Sequence, residues 1–246
     1  LLSHSAIPYA NLGLAYQLQG DLDGLIRVMR LAIKRDASLP AARDLLGRAY
    51  FEKGDLLNAV EQWEQLVVLE PSSPEGRTNL GVAYYRHNQM EEAIAQFRRA
   101  LLFLPHSAVA HNNLGLAYAK NGLFYHRNEK YEEALQQLDL ALSHLGRVLD
   151  MQPTNPIIHS NFGLALYLKG ETEKAVYEWM QVTRLSPAYA RVREATRLSA
   201  FDDTGMAVST LDVSSRVARF PPRPSDFHQR FELDFDEKAF VPEIPW

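Results

Sequence analysis

The sequence predicts an all-α fold built from antiparallel helix pairs. A ten-residue block recurs five times, as "NLGLAYQLQG", "LLGRAYFEKG", "NLGVAYYRHN", "NLGLAYAKNG" and "NFGLALYLKG", with starts separated by 34, 34, 34 and 48 residues. Apolar residues within and after each block lie three or four positions apart, which is the spacing of an amphipathic helix. Clusters of Gly, Asn and Asp between these segments supply turns. Each repeat is therefore predicted to contain two helices that fold back on each other.

Five repeats follow one another along the chain. Four of them close at a proline, which ends a helix because it lacks an N–H and its ring clashes with the preceding turn. The first repeat is the weakest copy, since Leu25, Met29 and Ala37 replace the small, aromatic and proline positions. The predicted repeats span residues 6–39, 40–73, 74–107, 108–155 and 156–189.

The fourth repeat is 14 residues longer than its neighbours. If its first helix continues past Gly122, the turn moves to "RNEK" and the second helix starts near Tyr131, so each helix gains about seven residues, close to two turns. The alternative is that Gly122 ends the first helix and "LFYHRNEK" is a loop. With the longer helices, the hairpin tip projects beyond the shorter repeats and is predicted to contact a partner or the tail through Phe124, Tyr125, His126 and Arg127.

The recurring positions resemble those of the tetratricopeptide repeat family over roughly residues 6–189. A small residue that permits close helix approach recurs at Gly13, Gly47, Gly81, Gly115 and Gly163, and an aromatic follows at Tyr16, Tyr50, Tyr84 and Tyr118. On the second helix, Ala59, Ala93 and Ala175 precede Trp63, Phe97 and Trp179. The resemblance implies a right-handed superhelical solenoid whose first helices line a concave groove. It also implies a non-catalytic protein–protein interaction scaffold or an assembly subunit.

The predicted groove carries a repeated asparagine. Side-chain amides offer donors and an acceptor to a peptide backbone, and the arrangement resembles the asparagine ladder of superhelical members of this family. The alternative is that these amides form hydrogen bonds within the stack. The predicted peptide-binding residues are Asn11, Asn79, Asn113 and Asn161, with Phe51, Tyr85 and Tyr167 beside them.

Both ends of the sequence differ from the repeats. The first residue is Leu rather than Met, and residues 1–5 resemble the end of a preceding repeat. Residues 190–200 have helical spacing and are predicted to cap the array. Residues 201–246 form an acidic, proline-containing tail, for which two interpretations remain: a disordered terminus or an extended segment that docks on this chain or on a partner. The tail's predicted anchors are Phe227, Phe231, Phe235, Phe240 and Trp246.

Composition and motifs argue against several other classes of protein. A net charge of -4 provides no basic patch for nucleic acid, and no apolar run approaches the roughly 18 residues of a membrane span. The chain contains no cysteine, and it lacks HExxH, GxSxG and phosphate-binding glycine motifs. We therefore predict no catalytic residue, metal or cofactor, and we expect His106 and His111 to be exposed. The alternative is the recognition portion of a larger enzyme.

Overall fold

The structure, a computed structural model, describes residues 7–186. This part of the chain divides between Ala117 and Tyr118 into two compact units, which we call the N-terminal unit (7–117) and the C-terminal unit (118–186). The predicted cap at 190–200, the tail and residues 1–5 lie outside the described residues.

The described residues form ten α-helices, which confirms the predicted all-α fold class. Within the N-terminal unit, each helix from α1 to α6 packs against the next, and α8, α9 and α10 do so within the C-terminal unit. The helices are α1 (Ile7–Gln19), α2 (Leu22–Arg35), α3 (Pro40–Glu52), α4 (Leu56–Leu69), α5 (Pro74–Arg86), α6 (Met90–Phe103), α7 (Ala108–Arg127), α8 (Tyr131–Met151), α9 (Pro156–Lys169) and α10 (Thr172–Leu185).

Local sequence signals set the helix ends. Proline occupies the first turn of α3, α5 and α9, where its missing N–H costs no hydrogen bond. Side chains of Asp21, Asp55 and Ser73 accept hydrogen bonds from the first backbone N–H groups of α2, α4 and α5. Each hairpin turn also contains one residue with positive φ, two positions before the second helix: Gly20, Gly54, Asn88, Glu129 and Gly170.

Close contacts between small and bulky residues hold each pair together. In α6, Ala93 and Phe97 are fully buried, and a Cβ added at Gly81 of α5 would lie 2.5 Å from the Phe97 ring. In the first repeat, Met29 is fully buried and approaches Gly13 in the same way. A flexible thioether therefore fills the space that an aromatic ring occupies in later repeats.

The elongated pair α7 and α8 contains 20 and 21 residues, against 13 and 14 in α5 and α6. The longer-helix interpretation is confirmed, because α7 continues through Gly122 to Arg127; the loop interpretation is wrong. The turn keeps its usual hydrogen bond, from Lys130 N to Tyr125 O at 3.0 Å, as from Gln89 N to Tyr84 O at 2.9 Å. The insertion thus lengthened both helices and left the turn unchanged.

The longer helices duplicate the close contact between small and bulky residues. Counted from the turn, Gly122 corresponds to Gly81, and a Cβ at Gly122 would lie 2.9 Å from Leu138 Cγ. Counted from the other end of α8, Ala141 and Leu145 occupy the small and bulky positions, and both are fully buried. Seven residues are close to two helical turns, so both sets face the same side of α8.

Candidate functional site

In the N-terminal unit, Asp44 of α3 organises a polar cluster beside α5. Its Oδ1 accepts hydrogen bonds from Trp63 Nε1 and Asn79 Nδ2, both at 3.0 Å, and its Oδ2 lies 2.8 Å from Arg48 Nη2. The carboxylate fixes the orientation of the Asn79 amide, because only the NH₂ group can donate to it. The Asn79 side chain is fully buried, and its Oδ1 has no hydrogen-bond partner among residues 7–186.

Helix α5 is covered on every side. Every residue from Thr78 to Tyr85 is buried. Asn79 contacts α3, Tyr84 donates a hydrogen bond to Glu64 of α4, and Gly81 contacts α6. Val82 lies about 160° around the helix from Tyr84, so it faces away from α4, and it is fully buried.

Equivalent residues of α5 and α7 form the candidate site. Asn79 and Val82 correspond to Asn113 and Leu116 one repeat later, and all four side chains are fully buried. Residues three apart lie on one face of a helix. We call these four residues the groove face. They combine amides with aliphatic surface, the combination that can bind both the backbone and the side chains of a peptide.

The elongated hairpin presents a second surface, in the C-terminal unit. Phe124 is 59% exposed at the end of α7, Arg127 is exposed, and Tyr125 is partly buried. The Tyr125 ring lies 5.9 Å from the Phe124 ring, and Lys130 Nζ is 5.9 Å from its centroid. Tyr125 therefore anchors the tip, while Phe124 and Arg127 are available to a partner.

Sequence reasoning missed a polar contact that links helix pairs to the preceding turn. Arg77 of α5 donates from Nε to Pro71 O at 2.9 Å and from Nη1 to Gln96 Oε1 of α6 at 3.3 Å. Arg43 makes the equivalent pair of contacts one repeat earlier. The sequence contained one signal for this contact, because arginine recurs 34 residues apart at Arg43 and Arg77.

Histidine takes over this position in later repeats. His159 Nε2 lies 2.9 Å from Pro153 O, and its Nδ1 lies 2.6 Å from Glu178 Oε2 of α10. His111 Nε2 lies 3.0 Å from Pro105 O, and the side chain is buried. The expectation that His111 is exposed is therefore wrong, because its ring replaces the arginine that joins a helix to the turn before it.

Two family models match the chain. One, described as TPR repeat, matches residues 47–88 and 86–122, and the other, described as tetratricopeptide repeat, matches residues 127–190. Together they cover more than half of the chain. The chain belongs to the tetratricopeptide repeat family. The first model's matches end at residue 122 and the second model's match begins at residue 127, so the matches divide within the elongated repeat.

A curated tetratricopeptide relative is the TPR repeat-containing thioredoxin TTL4 of Arabidopsis thaliana. It is 36% identical over 75 residues, which are 30% of this chain and 10% of the relative. The matched region therefore spans about a tenth of that protein's length.

Solved structures of tetratricopeptide proteins share the fold. A crystal structure of MamA is 24% identical, with a TM-score of 0.63, and the alignment covers 80% of this chain and 97% of MamA. YrrB, a TPR protein with an unusual peptide-binding site, is 21% identical, with a TM-score of 0.62, and the alignment covers 79% of this chain and 93% of YrrB. A thermophilic TPR protein of Thermus thermophilus, TTC0263, is 23% identical, with a TM-score of 0.57 and coverages of 78% and 98%. These similarities establish the fold.

The predicted asparagines occupy different environments. Asn11 is exposed, whereas Asn79, Asn113 and Asn161 are buried. The alternative of hydrogen bonding within the stack holds for the Asn79 nitrogen, while its oxygen is buried without a hydrogen-bond partner in the described part of the chain. Asn112 Nδ2 donates to Asn113 Oδ1 at 3.4 Å. A role of these amides in peptide binding stays a prediction.

The predicted aromatic residues lie beside the tetratricopeptide packing residues. Phe51 is partly buried, 5.8 Å from the Trp63 ring, and the Arg86 guanidinium lies 5.5 Å from its centroid. Tyr167 is partly buried, 5.6 Å from the Trp179 ring, and burial raises the pKa of its hydroxyl. Tyr85 is buried.

The predicted tail anchors, Phe227, Phe231, Phe235, Phe240 and Trp246, lie outside the described residues.

Between residues 7 and 186, no group of three or more His, Asp or Glu side chains could hold a metal ion. Over the same part of the chain, no helix is long and apolar enough to cross a membrane.

Proposed function

We propose that this tetratricopeptide protein is a non-catalytic interaction scaffold that binds an extended peptide segment along the groove face. The observation that carries the proposal is the buried Asn79 amide, whose nitrogen donates a hydrogen bond to Asp44 and whose oxygen has no partner among the residues that the structure describes. A buried acceptor without a hydrogen bond costs about 1–3 kcal/mol. A peptide N–H donated to this oxygen would remove that cost.

The chemistry of the groove face favours apolar segments. Val82 and Leu116 are buried aliphatic side chains, each three residues after the asparagine of its helix, Asn79 or Asn113. Burying apolar surface contributes roughly 25 cal/mol per Å², and an amide can pair with any backbone. The groove face is therefore suited to an extended segment with hydrophobic side chains rather than to a string of charges.

The elongated hairpin supplies a second docking surface in this proposal. Phe124 and Arg127 are exposed at its tip, and aromatic and arginine side chains are enriched at protein interfaces. Such a surface would place the scaffold on a larger complex while the groove face binds a peptide. The hairpin thus gives this member of the family a contact that a repeat of ordinary length lacks.

A second candidate function is the recognition portion of a larger enzyme. The observation that favours it is the matched relative, whose name joins TPR repeats and a thioredoxin in one protein. In that case the groove face would select a substrate or partner for catalytic residues located elsewhere.

Peptide binding to paired variants tests the proposal. Peptides selected from a display library with the full-length chain should bind the Val82→Ala/Leu116→Ala variant at least about tenfold more weakly, a loss of roughly 1.4 kcal/mol. Val68→Ala/Leu102→Ala is the matched control, because it removes the same side chains from exposed positions of α4 and α6. Circular dichroism confirms that each variant is folded. Equal weakening in both pairs would refute the groove-face proposal.

A further inference from the structure

Side chains at the repeat position of Val82 and Leu116 differ in burial from one helix to another. Leu14 of α1 occupies the same repeat position as Val82 and is 50% exposed, whereas Val82 and Leu116 are fully buried. Arg48, at this position in α3, also keeps partial exposure. Leu164 of α9 is buried at the same position. The position alone therefore does not decide burial, and other atoms lie over Val82 and Leu116.

We infer that the covering segment is part of this chain, residues 240–246, bound in cis to the groove face. This inference rests on the proposed peptide-binding function and names its occupant. The segment lies outside the described residues, and its sequence is "FVPEIPW".

The sequence of this segment meets the chemical requirements of the groove face. Val241 and Ile244 each precede a proline, which disfavours helical backbone and favours an extended one. Little conformational entropy then remains to be lost on binding. Phe240 and Trp246 add large apolar side chains at the two ends, and Glu243 is the only charged side chain between them.

Backbone donors are also available. Prolines lack an N–H, but Val241, Glu243 and Ile244 retain theirs and can donate to an asparagine oxygen. The unpaired Oδ1 of Asn79 is the acceptor that the structure offers.

The connecting chain is long enough for binding in cis. Fully extended, the residues between Ser186 and Phe240 would span roughly 180 Å, several times the roughly 30 Å length of α8. A tethered segment has an effective concentration set by its linker, which is millimolar for short flexible linkers and falls as the linker lengthens. The segment would therefore compete with peptides in trans and act as a built-in inhibitor of the groove.

A disulfide experiment tests this inference, and the absence of cysteine from the sequence makes it simple. In the full-length chain, Val82→Cys/Ile244→Cys should form an intramolecular disulfide under mild oxidation about tenfold faster than Val82→Cys/Leu233→Cys. The rate should not depend on protein concentration. Equal rates for the two pairs, or a disulfide-linked dimer whose yield rises with concentration, would overturn binding in cis.

Peptide binding to the same protein separates this inference from the proposed function. The oxidised Val82→Cys/Ile244→Cys chain should bind the library-selected peptides at least about tenfold more weakly than the same chain after reduction. If the oxidised chain still binds the peptides, the groove is not the peptide site, even though the disulfide shows that the tail docks there. Normal peptide binding without the specific disulfide would refute only the tail as occupant.

Discussion

Replacing Trp63 by alanine should lower the free energy of unfolding by about 3–5 kcal/mol, because the side chain is large and its cavity cannot be filled. Trp63 is fully buried between α3 and α4, and a Cβ added at Gly47 would lie 2.8 Å from its ring. Equilibrium urea unfolding, followed by circular dichroism, measures the change. A loss below about 1 kcal/mol would contradict the packing described for this helix pair.

Trp63→Phe is the matched control, because phenylalanine occupies the equivalent position as Phe97 in the next repeat. It keeps an aromatic ring against Gly47 and removes the hydrogen bond from Nε1 to Asp44. Asp44 retains its contacts with Arg48 and Asn79. The expected loss is therefore smaller than for alanine.

Gly122→Ala and Gly146→Ala should change stability in opposite directions. Both glycines lie inside helices, where alanine is favoured by roughly 0.5–1 kcal/mol. A Cβ at Gly122 would lie 2.9 Å from Leu138 Cγ and 3.2 Å from the Ala134 carbonyl oxygen, whereas at Gly146 the nearest atom, in the Phe162 ring, is 3.7 Å away. Overpacking should therefore make the Gly122 variant less stable than the Gly146 variant by about 1–3 kcal/mol.

Thermal and urea unfolding of the two glycine variants provide the comparison. Because the gain in helix propensity is common to both, their difference isolates the close approach of α7 and α8. Equal stabilisation of the two variants would mean that the elongated pair does not pack through Gly122.

Packing was predictable because it is repeated. The positions of Ala59, Ala93, Trp63 and Phe97 follow from the 34-residue period, and all four side chains are fully buried. The same reasoning located the turn of the elongated hairpin, since Ala134 and Leu138 fit when counted from the turn. Periodicity predicts these features well because each repeat buries the same face against its neighbours.

Polar partners were less predictable, because they depend on distances between repeats. The sequence favoured a ladder of amides open to a ligand, but Asp44, which holds the Asn79 nitrogen, is 35 residues away along the chain. The contact between His159 and Glu178 was likewise hidden, since arginine and glutamine perform this role in earlier repeats. Residue types that recur at a fixed period reveal the packing. A recurring contact is harder to recognise when the residue types that form it change from one repeat to the next.

Hydrogen exchange of the full-length chain, with and without a saturating library-selected peptide, tests whether peptides bind the groove face. We expect the bound peptide to slow amide exchange mainly in α5 and in the first part of α7, where the groove face lies. Slower exchange confined to α4 and α6, with α5 unchanged, would place the peptide on the second helices and contradict the groove face as the binding site.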